Sequence, residues 1–275
     1  ALSAVREATL ADLAEGTPDA RYIDLFKVKY DYHNVKALLK AEAVGTAPDR
    51  MLMDMGRVST AELAEAVRSR ELDGLPETLA AAVAEAREVL DTTRDPQLSD
   101  IVLDRWCYRD MAALAEETGS AFLRGYVAVQ VDAVNLRTAV RTLRMGKGAD
   151  FLLGALLEGG DLAPDAVAKA ASSGAAGLRE LYGATRFRDA AEAGAEALKG
   201  GPLTAFEKLC DDAVGDYLAG AQSVPFGEAP LVSYLAARET EYTNLRILLM
   251  GRAAGIDPAV IRTRLRDRKS TRLNS

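Results

Sequence analysis

The chain has one histidine and two cysteines among its 275 residues, too few nitrogen and sulfur ligands for the usual zinc sites. Cys107 and Cys210 stand in separate helical segments and match no CxxC spacing, which argues against a disulfide framework and for reduced, cytoplasmic surroundings. Every Ser-His-Asp or Cys-His arrangement would have to use the same His33, and no GxSxG motif accompanies it. His33 therefore reads as a packed or surface residue. Positive charge is not in excess: Lys and Arg number 34 against 41 Asp and Glu, a net charge of −7, so no cationic field draws a nucleic acid to the surface. Gly146-Lys147-Gly148 lacks the GxxxxGK[ST] pattern and a preceding strand, so no nucleotide-binding loop is read there. Long apolar runs are missing too. The richest stretch, Ala121 to Val140, is broken by Arg124, Gln130, Asp132, Asn135 and Arg137, short of the ~20 apolar residues that span a bilayer. The opening residues, Ala1 to Glu15, are amphipathic and lack both the core of a secretion signal and a starting Met.

Aromatics are scarce as well, at 6%, within a hydrophobic fraction of 49% carried mainly by Ala, Leu and Val. Such a mix suits closely packed helices better than sheets, and the chain reads as all-α. Periodicity and end signals place helices near 21–43, 59–71, 76–91, 96–117, 120–145, 164–172, 186–199, 202–220, 229–253 and 257–267. Ser59 with Glu62 forms a candidate capping box, and Asp257-Pro258 reads as a helix cap followed by a first-turn proline. Pro76, Pro202 and Pro230 mark further helix starts. Gly45, Gly56, Gly119, Gly146 and Gly255 read as terminators.

A weak repeat of about 100 residues runs through this pattern. Asp31-Tyr32-His33-Asn34-Val35-Lys36, Asp132-Ala133-Val134-Asn135-Leu136-Arg137 and Glu241-Tyr242-Thr243-Asn244-Leu245-Arg246 share the order acid-x-x-Asn-aliphatic-basic. A second element, Ile101-Val102-Leu103-Asp104, returns as Lys208-Leu209-Cys210-Asp211. Each Asn-bearing helix is followed by a glycine connector and another helix, at Gly56 to Leu63, Gly160 to Val167 and Gly255 to Ile261. Asn is a mediocre helix-interior residue because its amide competes for backbone hydrogen bonds, so its return at one offset asks for a partner. The acid three residues earlier shares its face and could help to clamp a neighbouring loop. The stripes Val28, Tyr32, Val35, Leu39; Val129, Ala133, Leu136, Val140; and Arg238, Tyr242, Leu245, Leu249 should be buried against companion helices. Asn34, Asn135 and Asn244 thus read as locks between a module's helix and its neighbour.

The runs Lys29 to Lys40, Pro230 to Glu239 and Asn244 to Leu249 resemble the C subunit of V/A-type ATPases, the counterpart of the d subunit of the eukaryotic vacuolar enzyme. The similarity extends from about residue 20 to residue 265. It implies three similar helical modules around a pseudo-threefold axis, forming a funnel, with the first module incomplete at its start. On the repeat, the modules cover residues 1–110, 111–220 and 221–267. It further implies a non-catalytic rotor subunit that joins the central-stalk subunits to the membrane proteolipid ring for proton or sodium transport. Such a subunit holds no cofactor and sits peripherally on the inner face of the cell membrane. The end, 268–275, looks like translated adaptor or vector sequence rather than the family's finish.

Other readings carry less. Asp211-Asp212 and Asp216 lack the spacing and the second cluster of a carboxylate-metal helix. Glu116-Glu117, Glu239 with Glu241, and Asp110 read as solvated helix faces. Arg262, Arg264 and Arg266 lie where cations suit a helix C-terminus, or where they could touch a partner. A helical carboxylate-metal enzyme and an unrelated helical-repeat adaptor remain the alternatives of other classes.

Overall fold

A computed structural model of the chain describes residues 2–17, 19–48, 51–224 and 226–266. The described residues form helices, turns and connectors, and no strand occurs among them. The all-α expectation holds. The chain divides into two compact units, Ala1–Ser120 and Ala121–Ser275.

The first unit holds α1 (Leu2–Gly16), α2 (Arg21–Val44), α3 (Thr60–Ser69), α4 (Glu77–Thr93) and α5 (Pro96–Glu117). Its axis is α2, which packs against α3, α4 and α5. The stripe Val28, Tyr32, Val35 and Leu39 is fully buried by that packing; each such side chain contributes about 1.5–3 kcal/mol on leaving water. The turn from α4 to α5 is tight. Arg94 takes the left-handed conformation at φ 56, Asp95 accepts from the Gln97 N–H at 2.8 Å, and Pro96 fills the first helical position, where its missing N–H costs nothing. Trp106 on α5 donates to Glu85 of α4 at 2.6 Å.

The second unit holds α6 (Ala121–Arg144), α7 (Ala149–Ala155), α8 (Pro164–Ser172), α9 (Gly174–Tyr182), α10 (Arg188–Ala197), α11 (Thr204–Ala219), a 3-10 turn at Gly220–Ser223, α12 (Glu228–Ala253) and α13 (Pro258–Arg264). Here α6 is the axis, packed against α7, α8, α10 and α11. Tyr182 and Phe187 meet edge to face with centroids 6.3 Å apart, and Leu123, Leu136, Leu178 and Phe206 complete a dry interior. The stripe of α6, Val129, Ala133, Leu136 and Val140, is buried. Long α12 packs on α11, the 3-10 turn and α13.

Most helices fall within two residues of their expected ends. Three have no counterpart in the sequence pattern: α1, α7 and α9. The last two are only seven and nine residues long, shorter than the window over which a helical period declares itself, and unlike the equally short α8 and α13 they have no proline in the first turn to mark a start. The third stripe departs from expectation. Tyr242 is buried, but Leu245 and Leu249 are 37% and 59% exposed, because the elements of its own unit that pack on α12, namely α11, the 3-10 turn and α13, leave that side open. Residue 110, the expected end of the first module, lies inside α5, whereas the compact units divide at Ser120.

Candidate functional site

The three asparagines make one and the same contact. Asn34 donates from Nδ2 to the Met53 carbonyl at 2.8 Å and accepts from the Met53 N–H at 2.8 Å. Asn135 does so with Leu157, both bonds at 2.8 Å. Asn244 donates to the Arg266 carbonyl at 3.1 Å and accepts from its N–H at 2.8 Å. An amide has one donor edge and one acceptor edge, so it satisfies both backbone groups of a single residue as a strand neighbour would. Asn34 and Asn135 are fully buried. The clamped residues lie 19, 22 and 22 positions downstream.

The exit of each helix repeats too. Eleven residues beyond each asparagine stands a glycine at positive φ: Gly45 at 66, Gly146 at 65 and Gly255 at 67. The next N–H returns to the carbonyl of the residue seven beyond the asparagine: Thr46 to Ala41, Lys147 to Thr142 and Ile256 to Gly251. This is the Schellman ending that favours glycine, whose φ is unhindered. From there α7 and α13 match: each starts fourteen residues beyond its asparagine, runs seven residues, and ends in an extended leucine, Leu156 or Leu265, before the clamped residue. The order of parts in the sequence sets α13 beside α3 and α8. The clamp instead makes α13 the counterpart of α7, with Met51 and Leu52 in the shorter first connector.

Gly56 is not a terminator. A Cβ on it would stand 2.1 Å from Asp31 Oδ1, and one on Gly160 would stand 2.2 Å from Asp132 Oδ1. Both glycines let a connector close on the acid of the motif. Asp31 accepts from the Arg57 and Val58 N–H groups at 2.9 and 3.2 Å; Asp132 accepts from Asp161 and Leu162 at 3.1 and 3.2 Å. Glu241 differs, pairing within its own helix with Arg238 at 2.7 Å. The position four beyond Arg266 is residue 270, outside the described residues, as is all of 268–275.

The two aspartates are neutralised differently. Arg57 reaches Asp31 Oδ2 at 2.8 Å and grips Asp110 at 3.1 and 2.6 Å, while the Tyr32 hydroxyl donates to Asp110 at 3.1 Å. Asp110, read from sequence as part of a solvated face, is buried. Burial pushes the Asp31 carboxyl up and Arg57 draws it part of the way back. Burial also pulls on the Arg57 guanidinium, but Asp110 and Asp31 outweigh it and hold the charge more firmly. At the position of Arg57 the second copy has Asp161. Burial therefore raises the Asp132 carboxyl to about 6, with backbone donation from Leu162 and Asp161 opposing it and the Asp161 charge adding to it. No sequence signal singled out Arg57, since its counterpart carries the opposite charge.

The basic residues of the motif join the second repeated element. Lys36 pairs with Asp104 at 2.5 Å; Arg137 pairs with Asp211 and lies 2.9 Å from Glu207. Four residues on, Lys40 meets Asp100 at 2.5 Å and Arg141 meets Glu207 at 2.7 Å. Arg246 is exposed. Of the cations beyond it, Arg266 also pairs with Asp211, at 2.6 Å, whereas Arg262 and Arg264 are exposed.

The remaining chemistry-bearing groups are scattered. Burial pushes the Cys210 thiol up to about 12 and raises that of Cys107 as well, so neither is a ready nucleophile. His33 Nε2 lies 3.0 Å from the Met51 carbonyl. Among the described residues no three His, Cys, Asp or Glu side chains gather as a metal site, and no helix is long and apolar enough to cross a membrane. The arrangement holds helices and connectors at fixed positions rather than presenting a reactive group.

Residues 2–264 match the model of a family described as ATP synthase (C/AC39) subunit. The C subunit of the V-type sodium ATPase of Enterococcus hirae is 25% identical over 271 residues, covering 96% of this chain and 80% of that protein. The C subunit of the V-type ATP synthase of Thermus thermophilus is 28% identical over 242 residues, covering 82% and 68%, and that of the A-type ATP synthase of Haloferax volcanii is 27% identical over 271 residues, covering 90% and 75%. With clamps that repeat along the whole match and no reactive centre among them, the chain belongs to the ATP synthase (C/AC39) subunit family, whose V/A-type members it resembles in sequence.

Proposed function

We propose that this non-catalytic subunit of a rotary ATPase couples the central stalk to the membrane proteolipid ring, at the inner, cytoplasmic face of the membrane. The names of its relatives speak of sodium ATPase and ATP synthase complexes, and the finer role rests on the build of the chain. Passing torque between two partners calls for a stiff body with matched surfaces and for no reactive side chain. The observation that carries the reading is the clamp made three times, with the same glycine ending each time. It supports three copies of one module as the plan of the chain, the first running through α5, the second from α6 to α11 and the third from α12 onward. Three like modules suit a funnel about a pseudo-threefold axis. Each clamp ties a long helix to the connector after it, so a push on one is passed to the other without slack.

The test is reconstitution of the rotary complex in vesicles with and without this chain. The expected result is that nucleotide-binding heads hydrolyse ATP in both cases, while ion pumping appears only when the chain is present. Pumping of equal rate in its absence would sink the coupling role. Loss of hydrolysis by isolated heads carrying a folded Asn135→Leu chain would do the same.

A further inference from the structure

We infer that the connector between α7 and α8 is a proton-controlled latch, fixed at one end by Asn135 and closed at the other by Asp132 when that carboxyl carries its proton. The two ends are held by groups of different kinds. Asn135 grips Leu157 through an amide, which does not titrate. Four and five residues on, Asp132 accepts from the Asp161 and Leu162 N–H groups at 3.1 and 3.2 Å. Between the two grips stand Glu158, Gly159 and Gly160, with Gly159 at φ 95, a stretch free to bend because glycine is unhindered there. The far end can therefore lift while the near end stays clamped.

The surroundings of Asp132 decide which of its forms fits the closed latch. The residue is buried, and a Cβ on Gly160 would stand 2.2 Å from its Oδ1, so the shut connector leaves no room on that side. Its own helix places no charge within four residues of it, and the buried residues of α7, α8 and α10 are leucine, valine, alanine and glycine. On α9 the Tyr182 hydroxyl is fully buried and donates to no described residue, although Tyr182 lies near enough to feel the Asp132 charge. Cys210 of α11 neighbours Tyr182 in turn, its thiol kept neutral by burial. The connector adds a like charge at Asp161, and the opposing charge of Arg186, which leans on the Tyr217 ring of α11 at 5.1 Å, is the weaker of the two. An ionised Asp132 is thus disfavoured with the latch shut and regains water when it opens. In the first copy the position of Asp161 belongs to Arg57, whose guanidinium bonds Asp31 and makes closure compatible with charge.

Opening returns the carboxyl from about 6 toward its ordinary 3.8. The open form therefore gains on the shut one as pH rises through that window, by about a hundredfold in all. Acid tightens the connector and alkali frees it. The latch belongs to the isolated chain and does not rest on the coupling role, so either can fail alone.

The test is amide exchange of the whole isolated chain from about pH 4 to about pH 7.5, each rate divided by that of an unprotected amide at the same pH. Protection at Asp161 and Leu162 should fall by about tenfold or more across the range, while Leu157 stays level, and Asp132→Asn should remove the slope. Asp161→Arg, which puts the first copy's residue into the second, should flatten it too and keep both amides protected in alkali. Protection at Leu162 that stays level or rises with pH in the unsubstituted chain overturns the latch. So does a fall at Leu157 in step with it, which is loosening of the whole unit. An undiminished slope in a folded Asp161→Arg chain overturns the part given to the Asp161 charge; should that variant not fold, the unsubstituted profile and Asp132→Asn decide.

Discussion

Asp31 and Asp132 occupy the same place in two copies of one motif and live in opposite electrostatic surroundings. Each closes a connector by accepting two consecutive backbone N–H groups. Of the two, Asp31 has a guanidinium bonded to it among the described residues, shared with Asp110, whereas Asp132 feels the Arg186 charge only as the weakest of the influences on it. The backbone bonds are thus the common element, and the ion network is an addition of the first copy. That addition is costly to interrupt, because a buried charge without its partner loses several kcal/mol of solvation that nothing returns. The second copy avoids the network and lets its carboxyl titrate instead.

The largest effect should come from Arg57→Leu, which strands Asp31 and Asp110 in a dry interior. A loss of about 3–5 kcal/mol is expected, read by urea unfolding followed through Trp106, the one tryptophan of the chain, which reports on the first unit. A change below about 1 kcal/mol would mean that the network is not holding the connector. Asn135→Leu should cost about 2–4 kcal/mol, since it leaves the Leu157 N–H and carbonyl unpaired with no water to replace the amide. Amide exchange at Leu157 should quicken in step. Asn244→Leu should cost about 1 kcal/mol or less, because its clamp is half-exposed and water can take over. Equal penalties at the two asparagines would break the proposed ranking by burial.

A dependence on pH separates the two aspartates. The Asp132 carboxyl titrates at about 6 in the folded chain against an ordinary 3.8, so the folded state holds its proton over a range where the unfolded chain has released it. Stability from this group is fully present below about pH 4 and is lost as pH rises through about 6. Asp132→Asn should flatten the stability profile across that window. A steeper profile in the variant, measured as unfolding midpoints between pH 4 and 7, would reverse the assignment of the buried carboxyl.

Much of this was legible in the residues. The asparagine and its flanking acid and base could be found because the motif is written on one helix, and Gly45, Gly146 and Gly255 because a left-handed ending selects glycine. The partners of the asparagines were not legible: Met53, Leu157 and Arg266 take part through their backbones, and a backbone group leaves no mark on residue type. Asp104 and Asp211 were visible as a second repeat, but only the packing of α5 on α2 and of α11 on α6 revealed that the two repeats pair with each other. Arg57 was hidden because Asp161 stands in its place in the second copy. The exposure of Leu245 and Leu249 was hidden for a different reason: periodicity tells which side of a helix is apolar and is silent on whether a neighbour exists.

The fixed count from asparagine to glycine, set against the unequal 19 and 22 residues from asparagine to clamped residue, divides each copy into a rigid ruler and an adjustable span. Residues added between the glycine and the clamp leave both anchor points in place, as the three extra residues of the second copy do, where the connector forms α7 and still returns Leu157 to Asn135. Residues added between asparagine and glycine would turn the helix exit by about 100° each and throw the connector off its anchor. Engineered insertions, tags or labels therefore belong in the first few positions after Gly45, Gly146 or Gly255, and nowhere earlier in those helices.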